Sequence, residues 1–116
     1  MKYVILIMDT PLGETLSEAE RKAWSDEIYA WYEEQGASGK VSDMGAQLHP
    51  PATAKTIRGT TVTDGPFVEA KEVVGGYSVL EAGSIDEAVG VAKTWPGVDR
   101  GLITIEVRPI VEQPGM

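Results

Sequence analysis

Two Ser-x-x-Glu motifs constrain the fold of this chain more than any other feature of its sequence. Ser17 and Glu20 form the first motif, and Ser84 and Glu87 repeat the same spacing. In this capping box the hydroxyl and the carboxylate each accept a backbone N–H at the start of a helix. Apolar residues then recur three or four positions apart: Trp24, Ile28 and Trp31 in the first segment, and Ile85, Ala88, Val89, Ala92 and Trp95 in the second. Two amphipathic helices are therefore predicted.

The tryptophan stripe of the first helix allows a second interpretation. Trp24 and Trp31 could form the aromatic wall of a ligand site, although a helix packed on a sheet is the commoner reason for such a stripe. Gly36 is predicted to close this helix, and Pro96 with Gly97 to close the second.

Five segments have the composition of β-strands. They are residues 2–8, 41–48, 55–62, 76–82 and 102–110. The second contains Gly45 and predicts an irregular or bulged strand, whereas the last alternates apolar and polar residues, as a strand with one buried face does. The order strand, helix, two or three strands, helix, strand is that of a ferredoxin-like split βαβ sandwich, an α+β fold with two helices on one face of an antiparallel sheet. At 116 residues, the chain is predicted to form one domain over residues 1–116.

The face of such a sheet that carries no helices needs a cover. Apolar side chains lie on both sides of the first strand, in the run "KYVILIM". In a small domain, a bare apolar sheet face is either the wall of a ligand site or an interface between subunits. We therefore expect a homodimer that associates sheet against sheet.

The composition limits the partners and the location. A net charge of -8 and a pI near 4.5 disfavour nucleic acid, whose binding requires clustered basic side chains. The chain has no cysteine, which excludes disulfides and a Cys-based zinc site. The apolar run at the start resembles a secretion signal but ends at Asp9, too short for a membrane span and without a small-residue cleavage site. We expect a cytoplasmic protein without membrane contact.

Several segments together resemble the YCII-related family in its DGPF subgroup. They are "MKYVILI" at the start, "LHPPATAKTIR" at 48–58, "VTDGPFVEAKEVVGGY" at 62–77, "SIDEA" at 84–88 and "IEVRPI" at 105–110. The resemblance implies a dimeric ferredoxin-like α/β barrel fold. Some members are similar to lyases or isomerases that use a His on the first helix and an Asp before a Pro after the second. This chain has no His in its first helix and Trp95 before Pro96, so the resemblance transfers no catalytic pair.

Two residues are candidates for proton transfer. His49 is the only histidine, and an imidazole is a common general base or metal ligand. Because two prolines follow it, an exposed loop position is the alternative. Asp64 could act as a general acid or base in a cleft, but the stretch Asp64, Gly65, Pro66 also has the chemistry of a tight turn.

Five further residues are candidate ligand contacts. Arg58 and Arg108 could hold an anionic group, because guanidinium meets a carboxylate through two parallel hydrogen bonds. Lys71 and Glu72 could orient a polar ligand, and Tyr77 could add a hydroxyl. If they are exposed, the charges in this set form ion pairs that contribute only about 0 to 1 kcal/mol. The sequence has no metal-ligand spacing and no phosphate-binding pattern, so neither a metal nor a cofactor is expected.

Three functional hypotheses follow from these candidates. The first is a small-molecule binding or regulatory module without chemistry of its own. The second is a cofactor-free lyase or isomerase in which Asp64 or His49 carries the proton and Arg58 or Arg108 anchors the substrate, with Arg58, Asp64 and Tyr77 in one pocket. The third is a cofactor-free monooxygenase of the dimeric barrel superfamily, with aromatic residues around an apolar cavity.

Overall fold

The computed structural model describes residues 1–66 and 72–112. Four strands lie between the two helices, where two or three were predicted. The elements are β1 (Lys2–Asp9), α1 (Glu18–Ala37), β2 (Val41–Gln47), β3 (Lys55–Arg58), β4 (Thr61–Asp64), β5 (Val73–Glu81), α2 (Ile85–Ala92) and β6 (Ile103–Pro109). Two short 3-10 turns, Gly13–Thr15 and Pro51–Thr53, lie in the connections.

The main sheet has the strand order β2-β5-β1-β6, with every neighbouring pair antiparallel. This is the strand order of a split βαβ unit, because β1 lies between the strands that precede and follow α2. Both helices cover one face of the sheet: Trp31 of α1 and Ala92 of α2 share a core with Ile5, Leu80 and Ile103. The predicted ferredoxin-like α+β fold is confirmed.

The segment predicted as one strand over residues 55–62 is instead a hairpin. Strands β3 and β4 pair in register from Lys55 with Asp64 to Arg58 with Thr61, as a separate two-stranded sheet. Gly59 adopts a φ of 60°, a conformation that glycine reaches without steric cost, and this turns the chain back on itself. Ile57 and Val62 are directly opposite each other and are 73% and 60% exposed. The β3–β4 hairpin therefore carries an apolar surface of its own.

Both helices begin at the predicted motifs, whereas α2 ends before its predicted end at Pro96 and Gly97. Ser17 and Glu20 form the full capping box of α1. At α2, the Ser84 hydroxyl accepts the N–H of Glu87, whereas the Glu87 carboxylate accepts the N–H of Gly83 rather than that of Ser84. α1 runs one residue past Gly36 to Ala37, and α2 ends at Ala92, so Trp95 lies beyond its helix.

A cluster of four aromatic side chains joins α1 to the sheet. Trp31 and Trp95 are buried, and Trp24 and Tyr32 meet Trp95 edge to face at centroid distances of 6.3 Å and 6.4 Å. The Trp95 indole donates to the Tyr32 hydroxyl at 3.1 Å, and that hydroxyl lies 2.6 Å from the Ser78 hydroxyl of β5. Most of the tryptophan stripe therefore serves packing of the helix on the sheet.

The other face of the main sheet carries apolar side chains without a helix above them. Tyr3, Ile5 and Ile7 of β1 are buried on the helical side, so the alternate residues of the strand point to the opposite side. The register places those residues opposite side chains of β5 that share their face: Val4 with Val79, Leu6 with Tyr77, and Met8 with Val74. We call these six residues the open face. No helix within the described ranges is long and apolar enough to cross a membrane.

Candidate functional site

A cleft with a volume of about 690 Å³ opens where β1 and β2 end, beside the first turns of α1. One wall is the loop that follows β1, a second is α1, and a third is the connection from β2 to β3. The polar and aromatic side chains that can contact a ligand there are Asp9, Glu14, Arg21, Trp24, Gln47 and His49. The cleft therefore combines two carboxylates, a guanidinium, an imidazole and an indole.

Thr10 and Gly13 hold the loop after β1 in place. The buried Thr10 hydroxyl lies 2.8 Å from the carbonyl oxygen of Gly101 and 3.0 Å from that of Leu102, and it accepts the N–H of Gly13 at 3.3 Å. A Cβ at Gly13 would lie 2.6 Å from the Leu102 carbonyl oxygen, so only glycine allows this close approach. The loop that follows β1 is thus held by hydrogen bonds and close packing against the residues that precede β6.

Asp9 is the half-buried carboxyl group of the cleft. Burial raises the pKa of its side chain above the ordinary 3.8, and the nearby Glu14 charge raises it further, while the Arg21 charge acts in the opposite direction. A carboxyl group whose pKa is raised by burial in a cleft is a recognised mark of a functional site, because it can exchange a proton closer to neutral pH. Asp9 is the strongest chemical candidate in the cleft.

Arg21 brings a positive charge to the same cleft from the first turn of α1. Its guanidinium donates to the carbonyl oxygens of Gly13 at 3.4 Å and Glu14 at 3.3 Å. These long contacts hold the side chain over the loop, and the guanidinium has five N–H donors in total. The remaining donors can bind a carboxylate or a phenolate oxygen of a ligand.

The aromatic side and the open side of the cleft come from Trp24 and His49. Trp24 is half-buried, and its indole N–H donates to the Pro96 carbonyl at 2.7 Å, which leaves the ring itself for contact with a ligand. His49 is exposed in the segment after β2, where the preceding Leu48 donates its N–H to the Gly75 carbonyl at 2.7 Å. The imidazole is therefore open to solvent while it lines the cleft.

Among the described residues that the sequence proposed for a ligand site, His49 and Trp24 line this cleft. Asp64 lies on the β3–β4 hairpin and forms an ion pair with Lys55, and Arg58 lies at the opposite end of β3. The remaining candidates among the described residues lie on the main sheet or at its edge: Glu72 accepts a hydrogen bond from Thr104, Tyr77 is on the open face, and Arg108 pairs with Glu106 at 2.7 Å. Lys71 falls outside the described residues. Ligand contacts by these residues stay predictions.

Asp9, Glu14 and Arg21 line the cleft but were not predicted as candidates from the sequence. In the sequence, Asp9 is the polar residue that ends an apolar run, and such a residue followed by Thr-Pro-Leu-Gly is a usable signal of a functional loop. Trp24 belongs to both interpretations of the tryptophan stripe, since it packs against Trp95 and also lines the cleft. Over residues 1–66 and 72–112, no three His, Asp or Glu side chains are grouped so that they could hold a metal ion.

Known proteins share the sequence pattern and the fold. The family model of the YCII-related domain matches residues 1–113. An uncharacterised protein of Rhizobium meliloti (strain 1021) is 32% identical, over 84% of this chain and 89% of the relative. The 5-chloro-2-hydroxyhydroquinone dehydrochlorinase of Burkholderia phenoliruptrix AC1100, solved in complex with 2,5-dihydroxybenzoquinone, matches 97% of this chain and 96% of its own, with a TM-score of 0.58 and 20% identity. At that identity, the structural likeness concerns the fold.

Proposed function

The chain belongs to the YCII-related family, and we propose that it is an acid–base lyase or isomerase whose active site is the cleft around Asp9. The observation that carries the proposal is the half-buried Asp9 carboxyl group with a raised pKa, in a cleft that also contains Arg21 and His49. The segment at 62–77 further supports membership of the DGPF subgroup.

The proposed reaction is a proton transfer on a bound small molecule. The Asp9 carboxylate takes a proton from a C–H or O–H bond, and the electron pair of that bond moves into the substrate, toward an oxygen that faces Arg21. The guanidinium stabilises the negative charge that develops on that oxygen. The proton then returns at a different atom, which is an isomerisation, or a leaving group departs with its electron pair, which is an elimination. His49 exchanges the proton with solvent.

The shape and lining of the cleft support an oxygenated six-membered ring as the substrate class. Its volume of about 690 Å³ lies within the range of small-molecule sites. Trp24 supplies a flat apolar surface and Arg21 a donor for an acidic oxygen. The dehydrochlorinase with the same fold was solved with 2,5-dihydroxybenzoquinone, a ring with two hydroxyl and two oxo groups, which supports the same class here.

Binding of 2,5-dihydroxybenzoquinone tests this substrate class. We expect saturable quenching of tryptophan fluorescence in the wild-type protein, and a dissociation constant about 10- to 100-fold higher in Arg21→Ala, because hydrogen bonds to charged groups contribute about 1.5 to 3 kcal/mol. The control is Arg100→Ala, which removes an exposed arginine that pairs with Glu27 at 2.6 Å. If the wild-type protein binds neither this compound nor 5-chloro-2-hydroxyhydroquinone at millimolar concentration, the proposed ring class is wrong.

A binding or regulatory module without chemistry is the second candidate. The exposure of His49 and the absence of the family's His and Asp at their usual places favour it. Such a module is expected to bind the ring compound as tightly as an enzyme does, but to release no product. Conversion of bound 5-chloro-2-hydroxyhydroquinone, measured as chloride release for an elimination and as a changed absorption spectrum for an isomerisation, therefore separates the two candidates.

A homodimer through the open face is also proposed. The molecule is flat, 46 × 41 × 19 Å, and its radius of gyration of 15.6 Å exceeds the roughly 13 Å typical of a compact chain of this length. A flat shape, an apolar sheet face and a hairpin with Ile57 and Val62 exposed all suit association with a second copy, which would bury these surfaces.

Leu6→Arg is expected to convert this dimer to a monomer. Leu6 lies near the centre of the open face, opposite Tyr77, where a guanidinium would have to be buried without a partner. Size-exclusion chromatography with light scattering at micromolar concentration checks the mass. The matched control is Tyr29→Arg, at a position on α1 that is 74% exposed, which is expected to leave the dimer intact. A wild-type protein that is already monomeric would contradict the proposed interface.

A further inference from the structure

We propose that the β-bulge at Gly75 is the positioning device of the cleft, because this one residue contacts both the Asp9 carboxyl group and the segment that carries His49. The inference rests on the proposed function for its catalytic meaning. The structural part of the inference does not depend on that function: the bulge sets the position of the Asp9 carboxyl group on β1 relative to the chain that follows β2.

The register of β5 against β1 locates the bulge. Ile7 pairs with Gly76 and Met8 pairs with Val74, so Gly75 is an extra residue of β5 that has no partner on β1. A bulge bends its strand and redirects the neighbouring side chains, and bulges are frequent next to active sites. This one lies at the last residues of β1, immediately before the loop that forms the cleft.

Gly75 provides the space in which the Asp9 carboxyl group sits. A Cβ at residue 75 would lie 2.6 Å from Cγ and 2.7 Å from Oδ1 of Asp9, and it would collide with Oδ2. The φ of Gly75 is not in the positive region, unlike that of Gly45 or Gly59. Glycine at this position therefore leaves room for the Asp9 carboxyl group where it lies, whereas the backbone conformation does not call for glycine.

The backbone of Gly75 also contacts the connection from β2 to β3, which is the third wall of the cleft. Its carbonyl oxygen accepts the N–H of Leu48 at 2.7 Å, which fixes the chain just before His49. The next glycine has a different role: a Cβ at Gly76 would lie 2.9 Å from the Ala46 carbonyl oxygen, so Gly76 lets β2 and β5 approach. Of the two adjacent glycines, Gly75 therefore serves the cleft and Gly76 serves the pairing of β2 with β5.

Occupation of this space changes the environment of Asp9. A methyl group at residue 75 forces the carboxyl group toward solvent, away from the position where burial and the Glu14 charge raise its pKa and the Arg21 charge lowers it. His49, which lines the cleft from the third wall, shifts with the Leu48 hydrogen bond. Asp9 and His49 are therefore both expected to respond to one substitution at residue 75 of β5.

A double-mutant cycle with Gly75→Ala and Asp9→Ala tests the inference. Gly75→Ala alone is expected to lower the melting temperature by about 5 °C, because the added methyl group conflicts with the half-buried Asp9 carboxyl group. In the Asp9→Ala background, where the carboxyl group is absent, the same substitution is expected to lower it by less than about 2 °C. Gly90→Ala is the matched control, because a Cβ there has no neighbouring atom within 4 Å.

Two NMR titrations provide the readout that a purely structural role would not move. In Gly75→Ala, the midpoint of the Asp9 carboxyl carbon titration is expected to fall toward 3.8, and the His49 ring resonances are expected to shift. An equal loss of melting temperature in both backgrounds, with an unchanged Asp9 midpoint, overturns the inference. If Gly75→Ala does not fold, folding of the double variant supports the inference and its failure to fold overturns it. Coupling of Gly75 to Asp9 in a protein that turns over no substrate upholds the inference and rejects the acid–base function alone.

Discussion

Under the proposed acid–base function, Asp9→Asn is expected to lower the kcat for a ring substrate of the proposed class, with 5-chloro-2-hydroxyhydroquinone as the test compound, by at least about 100-fold, because a positioned general acid or base contributes on the order of 10² to 10⁴ in rate. Asparagine preserves the size of the half-buried side chain but cannot accept or donate the proton. KM is expected to change little, since Arg21 and Trp24 are the residues proposed to hold the ring. Initial rates of chloride release at pH 7 check the prediction.

Stability measurements show whether a loss of activity in Asp9→Asn reflects chemistry. Because the pKa of Asp9 is raised in the folded protein, the folded state holds this proton more tightly than the unfolded chain does. Below a pH of 3.8 the Asp9 carboxyl group is protonated in both the folded and the unfolded state, so stability does not change with pH through this group. As the pH rises from there through the raised pKa, stability is lost, since a half-buried carboxyl group becomes charged. At pH 7 the neutral asparagine is therefore expected to give an equal or higher melting temperature.

The control for this variant is Asp26→Asn, at an exposed position of α1 where Asp26 pairs with Lys22 at 3.4 Å. It removes the same charge from the same protein without entering the cleft, and its kcat is expected to equal that of the wild type. An Asp9→Asn protein that is stably folded and retains more than about a third of the wild-type kcat would show that Asp9 does not carry the proton.

Trp95→Ala is expected to lower the free energy of unfolding by about 3 to 5 kcal/mol, the usual cost when a large buried aromatic side chain is removed from a core. Trp95 is buried and meets three other aromatic rings, and its indole N–H donates to Tyr32. The substitution leaves a cavity between α1 and the sheet. It also removes the indole N–H whose hydrogen bond the Tyr32 hydroxyl accepts. A loss of that size is a large fraction of the roughly 5 to 15 kcal/mol that holds a typical domain folded.

Urea denaturation followed by far-ultraviolet circular dichroism measures this loss. Tyr29→Ala is the matched control, because it removes an aromatic side chain from α1 at an exposed position and is expected to change the free energy by no more than about 0.5 kcal/mol. A loss below about 1 kcal/mol in Trp95→Ala would mean that the aromatic cluster is not a principal part of the core.

Elements with a strong local pattern were predictable from the sequence. The capping box of Ser17 and Glu20 gives the start of α1 to the residue, and the alternation of Ile103, Ile105 and Val107 gives the buried side of β6. Each pattern depends on contacts within a few residues or on a repeat along one element, so it is visible without knowledge of the rest of the chain. The order of these elements was sufficient for the split βαβ fold.

The weaker segments show where local patterns fail. Residues 55–62 have the composition of one strand, but Gly59 turns the chain there and separates β3 from β4. β3 pairs with β4 within this same segment. A strand pattern in the sequence does not show where the chain turns back on itself. The bulge at Gly75 was hidden for the same reason, because it is defined only against the register of β1.

The sequence by itself determined the fold class and the family, because helix caps, hydrophobic periods and family motifs are written along the chain. Only the tertiary structure assembled the candidate site. Asp9, Arg21, His49 and Gly75 belong to four different segments, and their proximity follows from the way β1, β5 and α1 pack. The raised pKa of Asp9 has the same origin, since burial and the charges of Glu14 and Arg21 act through space rather than along the chain.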